Sequence, residues 1–111
     1  MIKVWIDDVR PAPDGYVWCR STNGALRFIT QNKNYIELID LDHDAGDYAD
    51  DGGDFINVLK ELERLSRSPR HKDTYDFFVH KIKFKLHSMN PVGIENMRRI
   101  IENNGWNEIL F

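Results

Sequence analysis

The sequence has only one cysteine, Cys19, among its 111 residues. A single cysteine cannot form an internal disulfide, and it cannot supply the set of thiolates that a zinc–cysteine site needs. No apolar run approaches the roughly 20 residues of a membrane-spanning helix. The N-terminus also lacks the charged and then apolar pattern of a secretion signal. We therefore expect a cytoplasmic protein with no membrane partner.

The sequence also lacks an excess of positive charge. Its 15 Lys and Arg residues are set against 18 Asp and Glu residues, which gives a net charge of −3. This balance excludes a broad nucleic-acid-binding surface, although a small local basic patch is compatible with it. The length fits one modest hydrophobic core. We expect residues 1–111 to form a single domain.

Short segments of apolar and β-branched residues alternate along the chain with segments of helical periodicity. Such alternation is typical of an α/β protein with a parallel sheet and right-handed crossovers. Strands are predicted at residues 2–6, 16–20, 36–41, 82–86 and 106–111. Helices are predicted at about residues 22–32, 54–65 and 91–104.

Several residues mark the ends of these elements. Pro11, Pro13 and Gly15 exclude a helix between the first two strands, so an ordered loop is expected there. Asp54 is expected to cap the second helix. Residues 66–79 are basic and are interrupted by a proline, and they predict only a short helical turn.

Titratable side chains follow three of the predicted strands. Asp7 and Asp8 come directly after the first strand, Asp42 and Asp44 after the third, and His87 after the fourth. Ligands of open α/β sheets bind just beyond the carboxyl ends of the strands. We therefore expect these groups to meet at one edge of the sheet and to form a site.

The aspartates of this edge are candidate metal ligands. Crowded carboxylates repel one another unless they are protonated or bridged by a cation. Hard divalent cations take oxygen ligands, and Mg²⁺ commonly uses one or two carboxylates. Asp7, Asp8 and Asp42 are therefore predicted to hold Mg²⁺ or Mn²⁺. The alternative is that they only cap helices and turns.

Two histidines lie beside these acids. Histidine transfers protons near neutral pH, and a neighbouring carboxylate tunes it. His43, His87 and Asp44 are therefore the candidate catalytic residues. An ordinary hydrogen-bonding role is the alternative for each histidine.

Three further residues are candidate phosphate ligands. Arg10 could clamp phosphate oxygens with its guanidinium group, or it could only neutralise the nearby aspartates. Ser88 and Asn90 flank the turn before the last helix, where Pro91 is expected at the first helical position. Free N–H groups at a helix N-terminus favour phosphate.

Three motifs together resemble a divergent branch of the response-regulator receivers, the cyclic-phosphate-processing receiver domain. They are WIDDVRP at residues 5–11, LDHD at residues 41–44 and HSMNPVG at residues 87–93. The resemblance implies a flavodoxin-like, three-layer α/β sandwich with the parallel strand order 2-1-3-4-5. The proline loop replaces the first helix of such a sandwich, and the sequence ends at Phe111, where a receiver would continue into its lysine–proline signature.

Loss of the first helix would expose part of one sheet face. Four charged residues on otherwise apolar strands agree with this expectation, namely Glu37, Asp40, Lys83 and Lys85.

The resemblance implies a role in the processing of cyclic phosphate ends. The function expected from it is that of a metal-dependent phosphoesterase whose substrate is a phosphate-containing small molecule or an RNA end, such as a 2′,3′-cyclic phosphate. Two alternatives stay open at this point. One is a non-catalytic or phosphoacceptor receiver that binds a protein partner, with Asp42 as the acceptor. The other is a ligand-binding pseudoenzyme.

Overall fold

Residues 1–110, which the computed structural model describes, contain five strands that pair in parallel into one sheet of order β2-β1-β3-β4-β5. The strands are β1 (Ile2–Ile6), β2 (Tyr16–Cys19), β3 (Ile36–Leu41), β4 (Lys83–Leu86) and β5 (Asn107–Glu108). The predicted strand order is confirmed. The last strand was predicted to extend over residues 106–111, of which Phe111 lies outside the described residues.

Four helices connect these strands within the described chain: α1 (Thr22–Asn32), α2 (Ile56–Arg67), α3 (Lys72–Lys81) and α4 (Pro91–Asn103). The side chains of Ser21 and Asn90 cap α1 and α4 by accepting backbone N–H groups. The α3 helix is longer than the predicted helical turn. Because Pro69 lies before its first residue, this proline does not interrupt the helix.

Asp54 does not have the predicted capping role. The α2 helix begins at Ile56 after Phe55, with no side-chain hydrogen bond at its N-cap. The Asp54 carboxylate instead accepts the backbone N–H of Ala45 at 3.0 Å. Asp54 therefore holds the loop after β3 in place.

The helices pack on one face of the sheet, because α1, α3 and α4 each contact α2. Five side chains that β1, β3 and β4 direct to this face are fully buried: Val4, Ile6, Ile39, Leu41 and Phe84. The third layer of the predicted sandwich is absent from residues 1–110, where the fold has two layers. No helix in these residues is long and apolar enough to cross a bilayer.

The opposite face of the sheet carries no helix in the described chain. Lys3, on β1, and Lys83, on β4, are exposed on it. Asp40, which lies on the same face between Trp5 and Lys85, departs from the prediction because it is only 3% exposed. A specific partner, described below, accounts for the burial of this carboxylate.

Candidate functional site

The ends of β1, β3 and β4 bring the predicted site residues to one edge. The backbone N–H of Asp42 donates to the carbonyl of Ile6 at 2.9 Å, and that of His87 donates to the carbonyl of Leu41 at 3.1 Å. These bonds continue the parallel ladder by one residue beyond each strand. Asp42 therefore lies beside Asp7, and His87 lies beside Asp42.

Asp7, Asp8 and Asp42 form a carboxylate cluster. One oxygen from each of them lies within 4.8 Å of the other two. Partial burial raises the pKa of Asp8 above its usual value, its own backbone N–H opposes the rise, and the negative charges of Asp7 and Asp42 add to it. Burial and the neighbouring acids therefore disfavour the charged form of Asp8 in the folded protein.

Asp7 is the most tightly held member of the carboxylate cluster. It is fully buried. Its Oδ1 accepts the backbone N–H groups of Val9 and Arg10, and its Oδ2 lies 2.9 Å from His87 Nε2 and 3.5 Å from Arg10 Nε. Burial alone would raise the pKa of Asp7, but these hydrogen bonds outweigh it and lower the pKa. Asp7 is therefore an ionised acid whose oxygens are largely occupied by protein donors.

Asp42 and Asp8 are less engaged. Asp42 is 8% exposed, and its Oδ1 accepts the backbone N–H of His43 at 2.8 Å. The loop after β3 approaches Asp8 at Gly46, where an added Cβ would overlap Asp8 Oδ2. Gly46 also has a positive φ of 54°, which glycine tolerates best. The glycine thus lets the loop close over Asp8.

His87 connects two buried carboxylates. Its Nδ1 lies 2.7 Å from Asp40 Oδ1 and its Nε2 lies 2.9 Å from Asp7 Oδ2. The side chains of His87, Asp40 and Asp7 are 11%, 4% and 0% exposed. The indole of Trp5 stacks on the imidazole with 3.7 Å between ring centroids and 6° between the ring planes. We call Asp40, His87 and Asp7 the buried triad.

The hydrogen bonds of the buried triad engage both nitrogens of His87, one with Asp40 and one with Asp7. Neither ring nitrogen is therefore free to bind a ligand.

His43 lies in a different setting at the same edge. Its Nδ1 is 2.7 Å from Oδ1 of Asp44, and the two side chains are 14% and 59% exposed. Hydrogen bonding to His43 lowers the pKa of Asp44, partial burial opposes this, and a further bond from Asn90 supports it. The ring packs on Gly93, where an added Cβ would lie 2.5 Å from His43 Cγ. The carboxylate holds Nδ1 and leaves Nε2 without a protein partner in residues 1–110.

The three predicted phosphate ligands are mostly occupied by local contacts. Ser88 Oγ accepts the backbone N–H of Asn90 at 3.0 Å. Asn90 caps Gly93 through Oδ1, and its Nδ2 donates to Asp44 at 3.3 Å. Arg10 lies beside Asp7, but nearly half of its side chain is exposed. Of the three, Arg10 has the most freedom to reach a ligand.

Three residues of this edge were not among the predicted site residues: Asp40, Trp5 and Gly93. The alternation of β3 places Asp40 on the same face as Trp5, its neighbour on β1. Its partner His87 is 47 positions away in the sequence, and no local pattern reports such a pairing. For Gly93, the signal was its position in the HSMNPVG motif, at the first turn of α4.

A parallel sheet of order 2-1-3-4-5, with aspartates after its first and third strands, defines a receiver-like protein. A family model described as Cyclic-phosphate processing Receiver domain matches residues 2–103. The chain belongs to this family, which confirms the resemblance of its three motifs. No curated protein and no solved structure matches the chain.

Proposed function

We propose that this protein is a metal-dependent phosphoesterase that acts on cyclic or terminal phosphates. The carboxylate cluster is the observation that carries the proposal, because its three acids offer oxygens within 4.8 Å of one another. The description of the family supports the kind of substrate.

The donor set of the carboxylate cluster fits a hard divalent cation. All three donors are carboxylate oxygens, the type that Mg²⁺ and Mn²⁺ prefer. Asp8 and Asp42 would be the direct ligands, and Asp7 would complete the set with the lone pair that its protein donors leave free. When bound, such a cation neutralises phosphate charge and lowers the pKa of a coordinated water.

His43 is the proposed acid–base group. Asp44 accepts a hydrogen bond from Nδ1, so the tautomer with a free lone pair on Nε2 is favoured. Nε2 can then take a proton from the attacking water and return it to the oxygen of the leaving ester. Hydrolysis of a cyclic phosphate forms one P–O bond to water and breaks one P–O ester bond, so one proton has to move.

The second histidine has a positioning role in this proposal. Sequence reasoning predicted acid–base chemistry for both His43 and His87. Since both nitrogens of His87 are held by Asp40 and Asp7, the ring would fix Asp7 in place rather than exchange a proton with substrate. Arg10, at the rim of the carboxylate cluster, would bind a phosphate oxygen.

Turnover of 2′,3′-cyclic nucleotides in Mg²⁺ or Mn²⁺ tests the proposal. Wild type should release nucleoside monophosphate, and Asp42→Asn should lose most of this activity because it removes one anionic ligand. Asp47→Asn is the matched control, since Asp47 is an exposed aspartate of the same loop. It should keep wild-type activity.

Two results would contradict the proposal. One is the absence of turnover by folded wild type with several divalent metals and all four cyclic nucleotides. The other is a stable beryllofluoride adduct at Asp42 without any turnover, which would favour a receiver that accepts a phosphoryl group.

A further inference from the structure

The face of the sheet opposite the helices presents two rows of side chains. The strand registers place Tyr16, Lys3, Leu38, Lys83 and Asn107 side by side in the first row. The second row consists of Trp18, Trp5, Asp40 and Lys85. We call these nine residues the open face. With strands about 4.8 Å apart, the open face is about 19 Å wide.

The charge of the open face is opposite to that of the whole chain. Lys3 and Lys83 are exposed, and Lys85 is half-buried. Asp40 is the one acid among the nine residues, and it is buried and hydrogen-bonded to His87. The solvent-accessible charge of these rows is therefore positive, although the net charge of the sequence is −3.

Aromatic rings accompany these lysines. Tyr16, Trp5 and Trp18 are all partly accessible. The ring of Trp5 meets the ring of Tyr16 edge to face, with centroids 6.0 Å apart, and Lys3 Nζ lies 5.7 Å from the centroid of Tyr16. Aromatic rings on a sheet, flanked by cations, are the elements with which proteins hold single-stranded RNA.

The open face continues into the carboxylate cluster. Trp5 stacks on His87, which binds Asp7. Trp18 Nε1 donates to the backbone carbonyl of Asp7 at 2.8 Å. A ligand that lies along the aromatic row would therefore have one end beside the proposed phosphoesterase site.

We infer that the open face binds a single-stranded segment of RNA and leads its 3′ end to the carboxylate cluster. The role of the 3′ end rests on the proposed function, whereas the binding of RNA to the open face does not. The width of the open face suits about four nucleotides, the lower limit of single-strand sites on small domains. The lysines would contact phosphates, and the aromatic rings would contact bases.

RNA fits these residues better than an acidic protein segment. Such a segment would use the lysines alone, whereas stacked bases also use the aromatic rings. The two kinds of variant described next therefore separate the occupants.

Fluorescence anisotropy of labelled decauridylate with a 3′-hydroxyl end tests the inference, in 100 mM NaCl and EDTA. The triple variant Lys3→Glu, Lys83→Glu, Lys85→Glu should bind at least about tenfold more weakly. The slope of the logarithm of the binding constant against the logarithm of the salt concentration should also become shallower, by about 0.7 for each phosphate contact that is lost. The matched control reverses three exposed cations outside the sheet, Lys60, Arg70 and Lys72. It should change binding by about threefold or less, because distant charges are screened.

Tyr16→Ala separates RNA from an acidic partner. Loss of one stacked base should weaken decauridylate binding about fivefold or more and leave binding of a polyglutamate peptide unchanged. The inference is overturned if wild type does not bind decauridylate, if both triple variants bind equally well, or if Tyr16→Ala binds decauridylate as well as wild type.

The binding assay and the turnover assay fail independently. Decauridylate with a 3′-hydroxyl has no terminal phosphate, and EDTA removes divalent cations, so binding does not depend on the phosphoesterase site. If wild type binds the RNA but does not hydrolyse cyclic nucleotides, only the proposed function is contradicted. If it hydrolyses cyclic mononucleotides without binding the RNA, only the inference about the open face is contradicted.

Discussion

His87 and His43 lie at the same sheet edge in opposite settings. His87 is 11% exposed, both its nitrogens face buried carboxylates, and Trp5 covers its ring. His43 is 14% exposed, so exposure hardly distinguishes the two rings. Within residues 1–110 only one nitrogen of His43 is held, and its carboxylate partner, Asp44, is largely in solvent.

Hydrogen-bond partners, rather than position at a strand end, therefore decide what each histidine can do. A ring with two carboxylate partners stabilises negative charge and fixes geometry. A ring with one such partner and one free nitrogen can exchange a proton with a ligand. Four variants test this contrast through the free energy of unfolding, and they follow in order of decreasing expected effect.

His87→Ala should have the largest effect on stability. It leaves Asp40 and Asp7 buried without the group that their charges face, and the loss of one partner of a buried pair costs about 3–5 kcal/mol. Urea unfolding measures this loss. Adding Asp40→Ala should recover part of it, because the second change removes one of the two stranded carboxylates.

The control for this prediction is His71→Ala, which removes a half-buried imidazole that contacts Tyr75. It should cost about 1 kcal/mol or less, as is usual for changes away from buried networks. A His87→Ala protein as stable as wild type would show that the buried triad does not hold the edge together.

Gly93→Ala should have an intermediate effect. The added Cβ would lie 2.5 Å from His43 Cγ and 2.9 Å from its Nδ1, and overpacking of this kind costs about 1–3 kcal/mol. Since the ring has to move, the variant should also lose activity on cyclic nucleotides. Val92→Ala, at an exposed position beside it, is the control for both readouts. Wild-type stability and activity in Gly93→Ala would rule out this packing.

Asp8→Asn should make the metal-free protein more stable at neutral pH, by up to about 1 kcal/mol. Since folding raises the pKa of Asp8, the carboxyl favours the folded state in acid and loses that contribution as the pH rises through its folded-state pKa. The gain from the asparagine should therefore be present at pH 7 and shrink towards pH 4. Thermal melts in EDTA at several pH values measure it.

The same variant should gain less stability than wild type from Mn²⁺, because ligand binding to the folded state would be weaker. Asp47→Asn serves again as the control and should match wild type in both respects. An Asp8→Asn protein that is less stable than wild type in EDTA at pH 7 would contradict crowding in the carboxylate cluster.

Asp44→Asn should have the smallest effect. Its side chain is 59% exposed, and exposed polar pairs of this kind contribute roughly 0.2–1 kcal/mol. Folding lowers the pKa of Asp44 through its bond with His43. This contribution is therefore present above the usual pKa of aspartate and is lost as the pH falls through the folded-state value. Melts of the variant and wild type should differ near pH 7 and converge in acid; a constant difference would contradict this account.

Most of the fold could be predicted because it depends on local patterns. Alternating apolar residues marked β1, and the caps Ser21 and Asn90 marked two helix starts. The α3 helix was missed because its apolar residues are interrupted by charges and follow Pro69. The missing third layer could not be deduced from any single element, because it depends on the side of the sheet on which each crossover passes.

For the site, the sequence predicted the carboxylate cluster because the strand ends of a parallel sheet meet at one edge. It could not distinguish the two histidines, since each follows a strand and was expected to meet the aspartates at the sheet edge. The distinction comes from Asp40, which the strand pattern placed on an exposed face and which is buried and hydrogen-bonded to His87. Long-range partners of this kind leave no trace in local spacing.

The central claim is that His43 moves the proton. It is tested by the turnover of 2′,3′-cyclic uridine monophosphate by the His43→Ala variant in saturating Mn²⁺. We expect kcat to fall roughly 10²–10⁴-fold relative to wild type. The rise in melting temperature on addition of Mn²⁺ should be retained, because the carboxylate cluster is intact. A folded His43→Ala protein with wild-type kcat would contradict the account.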